Sequence, residues 1–401
     1  MGSLKNSMKN KVYYGEFSLE YWIHLMLIQN IILPPYQRYF VWQDKDIKKF
    51  IKQVKENSFV PPITIGAHKD IFGKHQNIII DGQQRLTSIL LAAIGLCPDY
   101  AEMKKASGDE KVQWTYNMML TKDCSIASIN ARFKSDKNYK DLDCGITEEI
   151  LKTTYLGFSY IIPEVPDNEN NSKQQIFYST VFRNINYGGV HLEPIESRKS
   201  LYYLDPKLTE FFEPEIASKI VYSSTNKTLD FVRDMAIITQ YFHNSKKQSE
   251  VLKNQVTTIE EMETYYESYI HSVVGNYDET DYEGKRKPDE LFGKFDEIFK
   301  DVNISDSIKH LTELIQELEF DKIKYDSILT MDVYMLGIIY YTLFERKDID
   351  VTKKDALKND LDESVKKLKK DSAQTNKPSN ATKVRVRLMK SISTYRKYLK
   401  K

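Results

Sequence analysis

Residues 78–86 read Ile78-Ile79-Ile80-Asp81-Gly82-Gln83-Gln84-Arg85-Leu86 and combine an apolar run, a glycine and a polar cluster. The isoleucines predict a buried strand over 77–80, and Gly82 predicts a turn. A helix is predicted to follow, because Leu86, Ile89, Leu90 and Ala93 recur at helical spacing before Gly95 and Pro98 end it. This stretch therefore predicts a strand, a tight turn and a helix N-terminus at one point of the fold.

The polar cluster of this stretch suits an anion. The first backbone N–H groups of a helix lack partners, and the helix dipole favours negative charge there. Arg85 could add a bidentate fork to phosphate oxygens, and Asp81 could hold a divalent cation that bridges them. A purely structural interpretation stays open, in which Asp81 caps the helix and Arg85 pairs with a surface carboxylate.

A second stretch, Leu33–Trp42, reads LPPYQRYFVW and places Gln37-Arg38 among aromatic residues. Two prolines stiffen its entry. Arginine beside stacked aromatic rings suits a base with its phosphates, or an extruded nucleotide. The alternative is that Phe40 and Trp42 anchor the core. Because Gln84-Arg85 is also a Gln-Arg pair, the two pairs could form one site if the fold brings them together.

The remaining periodicity predicts an α+β chain with a mixed α/β N-terminal half and a helical C-terminal half. Ser18 is a candidate N-cap for a helix ending near Gln29, a helix should open at Asp44 or Asp46, and a strand should span Ile63–Ala67. Residues 176–185 fit either a strand or a helix. Further helices are predicted over 228–243, 256–275, 289–300, 305–319, 329–345, 350–370 and 384–400. We expect a nucleotide-binding domain over 1–205, a helical domain over 206–370, and a linker with a basic C-terminal helix over 371–401.

Composition excludes several classes of protein. The 401 residues carry 58 Lys+Arg and 57 Asp+Glu, a net charge of +1, so the surface is not basic throughout. Three cysteines, Cys97, Cys124 and Cys144, form no CxxC pair and argue against disulfides and a cysteine zinc site. The longest apolar runs, Leu86–Cys97 and Val333–Phe344, are shorter than the roughly 18–20 residues that span a bilayer. We expect a cytoplasmic protein without a membrane partner.

Three ordered stretches resemble one family. The PxYQRxYxW-like element, the DGQQRLT element and Phe182–Leu192 with Glu196 and Arg198 are similar to the N-terminal domain of GmrSD-type modification-dependent restriction enzymes. The resemblance implies a ParB/sulfiredoxin-like fold. It also implies a site for a nucleoside triphosphate with Mg²⁺, within an anti-phage system that recognises modified DNA.

Carried over by position, the resemblance assigns roles to particular residues. Asp81, Gln84 and Arg85 would be catalytic, and Asp81 would also hold Mg²⁺. Two departures concern Tyr39, where proline is common, and Phe40, where tyrosine is common. The nucleotide contacts would be Tyr36, Gln37, Arg38, Gly82, Gln83, Thr87, Asn186, Gly188 and Gly189.

Whether the nucleotide is hydrolysed stays open at this stage. A nucleoside triphosphatase and a sensor that binds nucleotide or DNA without turnover both fit these residues. Fused relatives carry an HNH-type nuclease, yet the seven histidines of this chain form no HNH-like cluster, and none follows His310. We therefore expect any DNA cleavage to need a separate nuclease or effector subunit.

The C-terminal segment is the last candidate site. Lys383–Lys401 contains eight Lys/Arg and no acidic residue. A basic amphipathic helix of this kind could contact the DNA backbone through Arg385, Arg387, Arg396 and Lys397. The alternative is a terminal helix that docks by its apolar stripe, with its cations in solvent.

Overall fold

The structure, a computed structural model, divides into two compact units, Met1–Asp205 and Pro206–Lys401. No helix in the described part of the chain is long and apolar enough to cross a membrane. The described residues are 10–34, 37–69, 75–107, 112–121, 124–163, 177–182, 194–203, 205–222, 227–244, 259–275, 277, 286–300, 302–375 and 381–400.

The first unit mixes strands and helices, as the sequence predicts. Its strands are β1 (Asn10–Ser18), β2 (Ile31–Ile32), β3 (Ile63–Lys69), β4 (His75–Asp81), β5 (Leu96–Pro98), β6 (Tyr139–Asp141) and β7 (Tyr155–Pro163). Its helices are α1 (Leu19–Leu27), α2 (Asp44–Lys55), α3 (Gln83–Ile94), α4 (Tyr100–Ser107), α5 (Ile126–Phe133), α6 (Glu148–Thr153), α7 (177–182) and α8 (Pro194–Lys199).

A five-stranded sheet with the order β1-β7-β3-β4-β2 organises this unit. Strand β4 runs parallel to β2 and antiparallel to β3. Ile79 packs with the core that contains α1, α2 and α3, whereas Ile78 and Ile80 pack with the side chains of α7. Both faces of β4 are thus covered, which explains why its sequence is a continuous apolar run.

Local sequence signals set the ends of the nearby helices. The Ser18 hydroxyl accepts from the Tyr21 N–H at 3.2 Å, which caps α1 as predicted. Helix α3 begins after Gly82 and ends at Gly95, and both glycines have positive φ, 99° and 78°. Because other residues rarely adopt these angles, glycine fixes both ends of the helix that follows the DGQQR turn.

Two strands of the sheet were not predicted. Residues 11–16 of β1 are all exposed, so no buried face produces an alternating pattern. Strand β1 is held by antiparallel pairing with β7, from Asn10 opposite Pro163 to Ser18 opposite Tyr155. Residues 177–182, the described part of the stretch 176–185, are helical and not a strand. Cys97 is buried, and burial raises the pKa of its thiol to about 11, in keeping with a packed thiol.

The second unit is mostly helical. Its helices are α9 (Pro206–Phe212), α10 (Glu215–Lys219), α11 (Phe231–His243), α12 (Ile259–Val274), α13 (Pro288–Phe292), α14 (Phe295–Ile298), α15 (Ile304–Glu317), α16 (Ile328–Ile339, continued by a π-helix over Tyr340–Phe344), α17 (Lys354–Lys370), α18 (Ser372–Thr375) and α19 (Ala381–Tyr395). Its short strands are β8 (Val221–Tyr222), β9 (Lys227–Thr228) and β10 (Lys324–Tyr325). The helix predicted over 289–300 is divided at Gly293, whose φ is 73°.

Helix α19 packs inside this unit rather than standing apart as a basic appendage. The Ser391 hydroxyl accepts from the Gly337 N–H and donates to the Val333 carbonyl, both at 2.7 Å, which joins α19 to α16. The Arg387 side chain is fully buried and lies 3.0 Å from Asp332. The prediction that Arg387 contacts DNA is therefore wrong, since a buried, ion-paired guanidinium cannot reach a phosphate backbone.

The other three predicted DNA contacts remain nearer the surface. Lys397 is exposed and pairs with Asp360 at 2.9 Å, and the Arg396 Nε donates to the Tyr341 hydroxyl at 3.4 Å. Arg385 is half-buried. DNA binding by these three side chains stays a prediction.

Candidate functional site

The two Gln-Arg pairs meet at one edge of the sheet. Strands β2 and β4 are parallel neighbours, so their carboxyl ends lie together, and each is followed by one of the polar stretches. Ligands of open α/β sheets bind at such carboxyl edges. A cavity of about 330 Å³ lies here and is lined by Gln37, Arg38 and every residue of Asp81–Arg85. Its size falls in the lower range of small-molecule sites.

Gln37 fastens the first polar stretch to β4. Its side-chain Nε2 donates to the carbonyls of Ile79 and Ile80 at 3.1 and 2.8 Å. Strand β2 pairs with β4 only at Asn77 and Ile78. The Gln37 amide thus satisfies carbonyls beyond the end of the β2 ladder, and it holds the neighbouring Arg38 at the cavity.

Gln84 fixes the same stretch from the helix side. Its Oε1 accepts from the Val41 N–H at 3.0 Å, and its Nε2 donates to the Tyr39 carbonyl at 3.0 Å and to Gln83 Oε1 at 2.5 Å. The side chain is only 5% exposed. Gln84, predicted to be catalytic, is thereby engaged on both sides of its amide by protein groups, and its contacts make it a positioning residue for the Arg38 segment.

Arg85 also has protein partners. Its guanidinium pairs with Asp81 at 2.5 Å and donates to the carbonyls of Pro61 and Pro62. The carboxylate that pairs with Arg85 is therefore that of its own motif. Gly82, not Asp81, occupies the N-cap position of α3. These contacts tie the loop before β3 to the DGQQR turn.

Three groups at the cavity have hydrogen-bond donors for which the described residues provide no side-chain acceptor. The half-buried Arg38 guanidinium makes no hydrogen bond or ion pair with any residue that the structure describes. Gln83 is 3% exposed, and its Nε2 has no partner within the same ranges. Helix α3 has no side-chain cap. A guanidinium, an amide N–H₂ and the N–H groups of a helix N-terminus can all donate to an anionic ligand.

Phe40 and Trp42, which were considered together as possible core anchors, have different positions in the structure. Phe40 is fully buried, and its ring lies 5.7 Å from that of Trp114, so Phe40 anchors the core. Trp42 is half-buried and lines the cavity, with its ring 5.5 Å from Phe50. Phe40 does not line the cavity, so the hydroxyl that it lacks bears on the core and not on this site.

The remaining predicted nucleotide contacts either lie away from the cavity or fall outside the described residues. Thr87 is fully buried and does not line the cavity, which corrects the prediction that it contacts nucleotide. Its position one turn into α3 turns it toward the core. Four further predicted contacts, Tyr36, Asn186, Gly188 and Gly189, lie outside the described residues.

Several cavity residues were missed by sequence reasoning. Gln53 lines the cavity from α2 and Phe59 from the loop after it, and the other missed lining residues are Trp42, Phe50, Val60, Pro61 and Ile80. No local signal in the sequence singles out these residues, because a single apolar residue in a loop can be either buried or exposed.

The residues that line the cavity include one carboxylate, that of Asp81. The side chain of Asp81 is 38% exposed, and only its Oδ2 is used by Arg85. Within the described ranges, no group of three His, Cys, Asp or Glu side chains could hold a metal ion. Mg²⁺ commonly uses one or two carboxylates together with substrate phosphates, so Asp81 fits that cation only in company with a phosphate ligand.

Comparison with known families finds a match, and it covers this region. A family model described as "GmrSD restriction endonuclease, N-terminal domain" matches residues 23–203. Residues 23–203 are therefore similar to the GmrSD N-terminal domain. The matched segment includes both polar stretches and all of the residues that line the cavity, which confirms the resemblance noted from the motifs. No curated protein matches the chain.

Proposed function

We propose that the GmrSD-like domain of this protein binds a nucleoside triphosphate in the cavity at the carboxyl ends of β2 and β4, and hydrolyses it within a restriction system. The observation that carries the proposal is the convergence of unused donors on one cavity: Arg38, the Gln83 amide and the uncapped N-terminus of α3. On the same resemblance, we propose a ParB/sulfiredoxin-like fold for this unit.

In this proposal Arg38 is the main phosphate contact. A guanidinium without a protein partner offers its full fork to phosphate oxygens, and it is placed by the Gln37 and Gln84 amides on either side. The backbone N–H groups at the start of α3 and the Gln83 amide would add neutral donors. Developing negative charge on a transferred phosphoryl group would be stabilised by these fixed dipoles.

Asp81 would hold Mg²⁺ through its unpaired Oδ1, together with the phosphates. Bound there, the cation would neutralise phosphate charge. The ion pair with Arg85 keeps the carboxylate of Asp81 oriented, and the same guanidinium holds the loop at Pro61. Arg85 would then act as a positioning residue, and its predicted catalytic role requires it to exchange these partners for phosphate.

The proposal is tested by calorimetric titration of the purified protein with the four common ribonucleoside triphosphates and Mg²⁺, and by phosphate release with and without DNA. Binding of at least one nucleotide and release of phosphate above a no-protein control are expected. Absence of binding at millimolar nucleotide would refute the site, and binding without release would refute hydrolysis.

A second candidate is a sensor that binds nucleotide without turnover. The favouring observation is that Gln84 and Arg85 are both occupied by protein groups, which leaves Asp81 as the one member of the predicted catalytic set that can orient water. In either case a separate nuclease or effector subunit is the proposed partner, and modified DNA the proposed signal. A copurified nuclease subunit would support this, and it would be sought by pull-down from the native host.

A further inference from the structure

Phe59 stands out among the exposed apolar residues of the first unit. It is 87% exposed and lines the cavity, whereas the other exposed large apolar residues that the structure describes in this unit are less exposed and do not line it. A single exposed phenylalanine is common on protein surfaces and carries no meaning alone. The exposure of Phe59 is informative because the residue lies on a fixed loop at the cavity that we propose binds the phosphates.

The loop that carries Phe59 is tightly held. The Ser58 N–H donates to the Gln53 carbonyl at 3.0 Å, which closes the turn after α2, and Asn57 adopts a positive φ of 52° within it. On the other side, Pro61 and Pro62 restrict the backbone, and their carbonyls accept from Arg85. The ring is therefore presented to solvent at little further cost in conformational entropy when a ligand binds.

The cavity lining is polar in one part and apolar in another. The loops after β2 and β4 supply cations and amides. Helix α2 and the loop after it supply Phe50, Phe59 and Val60, and Trp42 lies against Phe50. Gln53 on the same helix is exposed and carries an amide that can both donate and accept. A ligand that satisfies both parts has an anionic end and a flat, hydrogen-bonding aromatic end.

We propose that Phe59 is the platform on which the base of the bound nucleotide stacks, with Gln53 at the base edge, and that Arg85 holds this platform in place through the Pro61 and Pro62 carbonyls. The inference rests on the proposed function, and it assigns the base subsite of that same cavity. The ligand is a free nucleoside triphosphate, and the base of a DNA strand is the competing source.

The experiment compares nucleoside triphosphate with inorganic tripolyphosphate, which lacks a base, by calorimetric titration of the full chain. Phe59→Ala is expected to weaken nucleotide binding by about 5- to 150-fold, the range for loss of base–aromatic stacking. Binding of tripolyphosphate should change by less than about twofold, because stacking on the ring is a property of the base. Phe59→Trp should restore nucleotide affinity.

Tyr14→Ala is the matched control, since Tyr14 is also an exposed aromatic residue of the first unit (78% exposed) and does not line the cavity. It should leave both affinities unchanged. Wild-type protein that binds neither ligand refutes the proposed function itself. Wild-type protein that binds both ligands equally, or Phe59→Ala protein that binds nucleotide normally, overturns only the base subsite. If Phe59→Ala weakens a single-stranded oligonucleotide but not a nucleotide, the base belongs to DNA and the inference is wrong.

Discussion

Replacement of Asp332 by asparagine is expected to destabilise the second unit strongly. The Asp332 carboxylate is fully buried, accepts two hydrogen bonds of 2.8 Å from Arg233 and lies 3.0 Å from Arg387. The change keeps the side-chain shape but leaves two buried guanidinium groups without their shared carboxylate. Loss of one partner from a buried ion pair costs about 3–5 kcal/mol. For a unit of this length, that cost lowers Tm by about 6–20 °C.

Two signals separate the units in the assay. All three tryptophans, Trp22, Trp42 and Trp114, belong to the first unit, so tryptophan fluorescence follows its unfolding. Circular dichroism at 222 nm, which is sensitive to helix, follows the second unit as well. We expect Asp332→Asn to lower the unfolding temperature that circular dichroism reports for the second unit. The unfolding of the first unit, followed by tryptophan fluorescence, should not change.

Asp326→Asn is the matched control for this variant. Asp326 also belongs to the second unit and pairs with Lys369, but its side chain is 62% exposed. Exposed ion pairs contribute about 0–1 kcal/mol, so this variant should unfold close to wild type. A change of less than about 1 kcal/mol for Asp332→Asn would refute the reasoning that α19 is docked through a buried charge cluster.

Two further predictions follow from buried polar groups. Burial raises the pKa of the Asp234 carboxyl to about 8. Between about pH 4 and pH 8 the folded protein therefore keeps a proton on Asp234 that the unfolded chain has released. The contribution of Asp234 to the free energy of unfolding consequently falls as pH rises through this range. Asp234→Asn cannot ionise, and its stability relative to wild type should increase over that range in urea titrations; a constant difference would contradict the shift. Gln84→Leu leaves the Val41 N–H and the Tyr39 carbonyl without their partner, so we expect a loss of about 1–3 kcal/mol from the first unit by tryptophan fluorescence, with weaker nucleotide binding. Unchanged nucleotide affinity in a folded variant would show that Gln84 does not position Arg38.

The strand, turn and helix around Asp81–Arg85 could be predicted because each depends on nearby residues. The apolar run, the glycine at φ 99° and the helical spacing after it are local signals. Strands β1 and β7 escaped prediction because they are held by pairing between residues more than 130 positions apart. Residues 11–16 of β1 have no buried face from which a pattern could arise.

In the candidate site, too, features set by nearby residues could be predicted and features set by distant contacts could not. The sequence indicated that Gln37-Arg38 and Gln84-Arg85 could share a site, and the parallel pairing of β2 with β4 explains how they do. Which arginine is free could not be predicted, because the partners of Arg85 include carbonyls 23 and 24 residues earlier in the chain. Arg387 belonged to a basic run in sequence, yet its charge is matched by Asp332 on another helix.

The most direct measurement of the central claim is the affinity of the Arg38→Ala variant for nucleoside triphosphate, with Lys49→Ala as the control. Lys49 is an exposed cation of the same unit that does not line the cavity. Loss of a charge-assisted hydrogen bond of about 1.5–3 kcal/mol predicts affinity about 10- to 150-fold weaker for Arg38→Ala, with wild-type affinity for Lys49→Ala. Equal affinities of the wild-type and Arg38→Ala proteins would contradict the assignment of this cavity as a phosphate site.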